Sequence, residues 1–261
     1  MQHVVLNMAD KRLWTPDEFK LVLNLYFKLP FGKLHRSRPE VRELADLIGR
    51  TDNSVALRLV NFAACDPAIH QKGMTGGIDK CQPYFDAFVN DREKLAFESE
   101  QILARLQNTT IEQKYAGILD DVKDVKGEER ERIVKTRVNQ NYFRLMVLAN
   151  YDGKCALTGI DIPELLLASH IIPWAKNKQE RLNPCNGICL SALYDKAFDQ
   201  GLMGFDSKYR AILSSRIKEK EGKEYYHEYF APIEGRKLAI PAKYKPDTGF
   251  LEWHMDEVFQ R

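Results

Sequence analysis

Four polar side chains in the second half of the chain are of types that could together hydrolyse a phosphodiester bond: His170, Asn186, Asp195 and Asp199. Asp195 and Asp199 are four positions apart. Within a helix that spacing places both carboxylates on one face, where they could meet a common metal ion. Carboxylate oxygens suit a hard divalent cation such as Mg²⁺ or Mn²⁺. A neutral histidine nearby could take a proton from an attacking water, a contribution worth ~10²–10⁴-fold in rate. The cation would bind the scissile phosphate and stabilise the leaving oxygen. An amide such as that of Asn186 could hold a loop and orient the histidine.

The elements needed to position these residues are legible around them. Gln140–Arg144 leads a helix through Leu145, Val147 and Leu148, followed by a knuckle-like turn at Lys154–Gly159. Leu165 to Ile172 reads as a strand ended by Pro173, and a polar loop over 174–185 precedes a second strand at Gly187–Leu190. Ser191 can cap a helix running Ala192 to Gln200, which Gly201 stops. Leu202–Phe205 and Ala211–Ser214 flank the reverse-turn signal Asp206–Tyr209. His170 thus falls in the first strand, Asn186 at the opening of the second, and the two carboxylates on the helix.

Three stretches carry a resemblance: Ala168–Trp174, Asn183–Leu190 and Tyr194–Gly201. Together they strongly resemble the HNH endonuclease family, and more narrowly its bacterial restriction-type branch, over about residues 138–261. The resemblance implies a C-terminal ββα-metal domain, His170 as the general base, Asn186 as the middle asparagine and Asp195 as a metal ligand on the helix. Two departures stand out. Ser169 occupies the position where many members have a ligand aspartate, and Tyr194 sits where related sequences can have histidine. The second ligand is then Asp199, Asn186 or another group. The implied activity is metal-dependent DNA hydrolysis leaving a 5′-phosphate, in a restriction or phage-defence role. One active centre cuts one strand, so a double-strand cut implies a homodimer or two binding events. Some such domains carry zinc knuckles, but Cys155, Cys185 and Cys189 include no pair two residues apart and read as free, buried thiols. His254, beside Trp253, reads as packing for a C-terminal helix.

The first hundred residues read as helical. Thr15, Pro16 and Glu18 form a capping-box helix start. A second helix starts at Pro39 and stops at Gly49, and a third begins at Ser54. This pair joined by a short polar turn looks like a helix-turn-helix, which would direct Asn53, Ser54 and Arg58 to a major groove. The segment 93–118 is amphipathic, and 119–137 alternates charges densely as a solvated linker or helix face. The expectation is therefore an α+β protein, with a helical DNA-binding domain over 1–118 and a nuclease domain over 138–261. Arg144, Lys176, Lys178 and Arg181 are candidate contacts to DNA phosphates.

Composition bounds the rest. Charges are balanced, 39 basic against 37 acidic residues, so charge alone does not identify double-stranded DNA as the partner. No apolar run approaches the ~18–20 residues that cross a bilayer, and five cysteines suit a reducing bacterial cytoplasm better than a disulfide scaffold. Outside the nuclease reading, the sequence also fits a DNA-binding regulator or scaffold with a weakened nuclease domain, or a nuclease acting on RNA or structured DNA.

Overall fold

The helix start at Thr15 is formed in the computed structural model, which describes residues 12–69, 76–115 and 127–261. Thr15 Oγ1 accepts from the Glu18 N–H, and the Glu18 carboxylate accepts from the Thr15 N–H, closing a capping box ahead of α1 (Pro16–Lys28). α2 (Pro39–Ile48) follows. α3 (Asp52–Cys65) begins two residues before Ser54, because Thr51 Oγ1 accepts the Ser54 N–H and so supplies the cap. α4 (Ile78–Phe88) was not signalled by the sequence, since Pro83 interrupts its apolar pattern. α5 (Arg92–Leu106) and the one-turn α6 (Ile111–Lys114) come next.

The chain divides into two compact units, Met1–Val138 and Asn139–Arg261. The division falls within α7 (Glu128–Asn150), which starts in the charged stretch and not at Gln140. Residues 116–126, which hold the expected boundary and the first part of the 119–137 segment, lie outside the described residues. Among the described residues no helix is long and apolar enough to cross a membrane.

In the first unit α1 is the central element, packed against α2, α3, α4 and α5. Val22, Leu23, Leu59 and Phe62 are fully buried around it. Tyr26 is buried too, and its hydroxyl donates to Asp66 Oδ2 at 2.7 Å, so the ring brings no unpaired polar group into the core. The start of α1 is tied to the end of α2 by ions. Arg50, with a side chain 1% exposed, makes two hydrogen bonds to the Glu18 carboxylate and two to the carbonyls of Arg12 and Leu13. Burial pushes the Glu18 carboxyl up, but the Arg50 hydrogen bonds, the Thr15 N–H and the charges of Arg50 and Arg12 hold it below the usual value.

The second unit is a small α+β assembly. β1 (Leu166–His170) pairs antiparallel with β2 (Gly187–Ser191), with Ser169 opposite Ile188 and His170 opposite Gly187. α8 (Ala192–Asp199) packs across both strands. Then come the hairpin β3 (Met203–Phe205) and β4 (Ala211–Leu213), the short α9 (Ser215–Lys218) and α10 (Thr248–Glu257). The expected α+β fold with helical N-terminal part is the one observed.

Two glycines fix how closely these parts approach. A Cβ at Gly187 would lie 2.5 Å from Val147 Cγ2 and 2.8 Å from Phe143 Cζ, so only glycine lets β2 lie against α7. Gly201, at φ 65°, ends α8 in a left-handed turn, and a Cβ there would collide with the Val258 carbonyl. Nearby, His254 of α10 stacks on Phe198 at 3.8 Å and bonds the Phe198 carbonyl, pinning α8 to the chain's end as the sequence reading of a packing histidine anticipates.

The Glu18–Arg50 pair leads to a specific expectation. Arg50→Ala leaves a buried carboxylate and two carbonyls without their donors, and should destabilise the first unit by about 3 kcal/mol. Urea unfolding, compared between variant and parent at neutral pH, measures it. The loss should shrink as the pH falls through the Glu18 pKa, because the native pair contributes only while that carboxyl is ionised.

Candidate functional site

His170 ends β1 and is held on three sides. Its ring stacks on Phe143 of α7 at 3.7 Å, with an interplanar angle of 13°, and Trp174 meets it edge-on at 5.5 Å. Nε2 lies 3.0 Å from the Arg181 carbonyl oxygen, which can only accept. Nε2 therefore carries the hydrogen, and Nδ1 keeps its lone pair. Burial pushes the imidazole down to about 4, and the Arg181 charge acts the same way against the raising effect of the carbonyl bond. At neutral pH the ring is an uncharged base with a fixed tautomer.

The Arg181 carbonyl lies in the loop between β1 and β2, and Asn186 holds that loop closed. Asn186 is 1% exposed. Its Nδ2 donates to the carbonyls of Ile172 and Glu180, both at 3.1 Å, and its Oδ1 accepts the Ile172 N–H at 2.8 Å. With both amide hydrogens and an oxygen lone pair spent on backbone, Asn186 is a positioning residue.

Across β1, Ser169 Oγ donates to Asp195 Oδ1 at 2.5 Å, one residue from His170. Asp199 lies one helical turn beyond Asp195 on α8. Its carboxyl is pushed up to about 6, first by burial of the group and then by the Asp195 charge, with Lys196 opposing. Ser169 and Asp195 thus meet on the face of β1 opposite His170, because successive strand residues point to opposite sides. Among the described residues no group of three or more His, Cys, Asp or Glu is placed to hold a metal ion. The chemistry here is instead two carboxylates and a hydroxyl, all hard oxygens, with a repulsion between the acids that a divalent cation would relieve. That donor chemistry suits a hard divalent cation.

Ser169 appears in the sequence only as a missing aspartate, because a hydroxyl signals nothing until the β1–α8 contact sets it against Asp195. Phe143 carries no sequence signal beyond its place in a helix. Tyr194 lies outside the cluster: it is buried, and its hydroxyl donates to the Tyr229 carbonyl at 2.7 Å. Cys155 Sγ accepts the N–H groups of Thr158 and Ser191 and so closes the knuckle, and all five cysteines are free thiols.

The other expected contacts fare unequally. Lys176 and Lys178 are exposed. Arg181 donates from Nε to the Trp174 carbonyl and stacks over the Trp174 ring, and Arg144 donates to the carbonyls of Leu166 and Pro163. Both guanidiniums brace the backbone around His170. In the first unit Asn53 is exposed and accepts from Arg36, and Ser54 is half-buried. Arg58 is folded inward over Trp14 and Phe19, with Nη1 against Asn61 and Cys81, because aromatic faces and buried acceptors attract a weakly hydrated guanidinium. It does not extend from α3 toward a groove. A cavity of about 730 Å³ lined by α1, α2 and α5 has leucine walls and an acidic rim of Glu40, Glu43 and Asp46, with none of this chemistry.

The clasp yields a test. Asn186→Ala leaves the buried Ile172 N–H and its carbonyl without their partner, at about 1–3 kcal/mol for each group that water cannot reach. Hydrogen exchange should show the Ile172 amide protected in the parent and exposed in the variant, with α7 protected in both.

Residues 155–206 match the family model described as HNH endonuclease. A comparison with curated proteins finds no match to the chain.

Proposed function

The chain carries an HNH endonuclease domain, and from that premise we propose that it is a metal-dependent DNA endonuclease, acting in restriction or phage defence in the bacterial cytoplasm. The observation that carries the reading is the His170 arrangement: a neutral ring with Nε2 bound to the Arg181 carbonyl and Nδ1 left as the base. His170 Nδ1 takes a proton from water, and the resulting hydroxide attacks phosphorus. The bond from phosphorus to the 3′ oxygen breaks, leaving a 5′-phosphate and a 3′ oxyanion that takes a proton from water to become the 3′-hydroxyl. Asp195 and Asp199, with Ser169 steadying Asp195, would hold a divalent cation. When bound, that cation supplies positive charge to the phosphate and the departing oxygen. Lys176 and Lys178 are the phosphate contacts this reading retains, and Asn53 and Ser54 remain candidates on the first unit. Double-stranded DNA is the substrate, and a double-strand cut would need a homodimer or two encounters.

Plasmid DNA, methylated and unmethylated, should be cut in Mg²⁺ or Mn²⁺. His170→Ala should lower the rate by ~10²–10⁴-fold without loss of DNA binding. Discrete fragments would mean sequence recognition and a smear would mean none. Absence of cutting by the parent, with DNA binding intact, would favour the regulator. Cutting that survives His170→Ala would remove His170 as the base.

The carboxylate pair makes a separate prediction. Asp195→Ala should weaken Mg²⁺ binding, read by calorimetry, by more than about tenfold. In limiting Mg²⁺ the parent's cutting should rise with pH through about 6, because Asp199 must lose its proton to share the cation. Saturating Mg²⁺ should move that midpoint to lower pH. A midpoint unmoved by Mg²⁺ would exclude Asp199 from the ion's site.

A further inference from the structure

A small cavity adjoins the carboxylate helix and takes no part in the chemistry above. It encloses about 190 Å³ between α9 and the π-type turn Tyr226–Phe230. Leu202, Ile217, Tyr225 and Phe230 line it, with Arg216 and Lys220 at its edge. Both of its walls are attached to α8. Leu202 is three residues beyond Asp199, and the turn hangs from α8 through the Tyr194 hydroxyl on the Tyr229 carbonyl.

The lining has the character of a nucleotide subsite. The volume equals roughly six waters of liquid, room for one ring system and well below the ~300–1,000 Å³ of a drug-sized ligand. Tyr225 is 47% exposed, so its ring offers an open face. The side chains of Arg216 and Lys220 are exposed and form no hydrogen bond or ion pair among the described residues, whereas their neighbour Lys218 is paired with Glu234. Glu219, Glu221, Glu224 and Glu228 belong to the same segment, yet no carboxylate lines the cavity. Leu202 can lie at most about 10 Å from Asp199 along the chain, a span of about three nucleotides at ~3.4 Å each.

We propose that this cavity receives one unstacked nucleobase of the substrate strand, stacked on Tyr225, with Arg216 and Lys220 on the adjoining phosphates. The proposal rests on the nuclease reading and adds a base-binding subsite to it. Such a subsite would hold the strand in register with the carboxylates and would favour sites where the duplex opens easily.

The test uses the full chain with ¹³C-labelled Leu and Ile methyl groups, titrated with a short oligothymidylate and, separately, with inorganic phosphate. The Ile217 and Leu202 methyl signals should shift with the oligonucleotide and not with phosphate. Tyr225→Ala should weaken oligothymidylate binding about tenfold, and Tyr225→Phe should restore it. Arg216→Ala combined with Lys220→Ala should flatten the log–log salt dependence of binding by about 1.4. Failure to bind, binding with those methyls unmoved, equal shifts with phosphate alone, or affinity indifferent to Tyr225→Ala would each overturn the proposal. Plasmid cutting by the same preparation separates the two readings. Cutting with unmoved methyls removes only the subsite, and moved methyls without cutting remove only the nuclease.

Discussion

The buried amide of Asn186 is the interaction on which the site depends. The loop between β1 and β2 carries backbone groups into the interior that water cannot reach, and each must find a partner or cost about 1–3 kcal/mol. Asn186 supplies three such partners at once, to Ile172 and Glu180. The closed loop places the Arg181 carbonyl against His170, and that carbonyl dictates which imidazole nitrogen carries the hydrogen. The clasp, the loop path and the tautomer form one chain of cause.

The opposite side of β1 follows a different logic. There the structure tolerates a conflict, two acids one turn apart on α8, one of them pushed up by burial and by its neighbour. A like-charge pair at this spacing costs only about 0.2–0.5 kcal/mol on a helix surface, which the packing around α8 outweighs. Ser191 at its start is buried, Gly201 closes its end under the Val258 carbonyl, and His254 stacks on Phe198 between them. These contacts fix both ends of the helix that carries the two carboxylates.

Four arginines, two in each unit, share one behaviour. Arg50, Arg58, Arg144 and Arg181 all turn inward, onto carboxylate, aromatic faces or backbone carbonyls. A planar, weakly hydrated guanidinium loses little on leaving water and can satisfy several acceptors at once. Lysine keeps a strongly hydrated point charge, and Lys176 and Lys178 stay in solvent.

Local signals survived from sequence to structure wherever the determinant was itself local. The Thr15 capping box, the stop at Gly201 and the four-residue spacing of Asp195 and Asp199 all depend on neighbours in the chain. So does the motif over 155–206. Tertiary structure decided the rest. It determined that Ser169 backs Asp195, that Phe143 carries the His170 ring, that Asn186 is a clasp, and that Arg58 and Arg144 are braces. It also set the cavity beside α8. Each of these rests on a contact between residues distant in sequence, and no spacing along the chain encodes which side chain will fill the space opposite another. The sequence alone determined the chemical groups and the elements that carry them. Packing decided which groups keep a free lone pair or charge, because burial and hydrogen bonding consume the others.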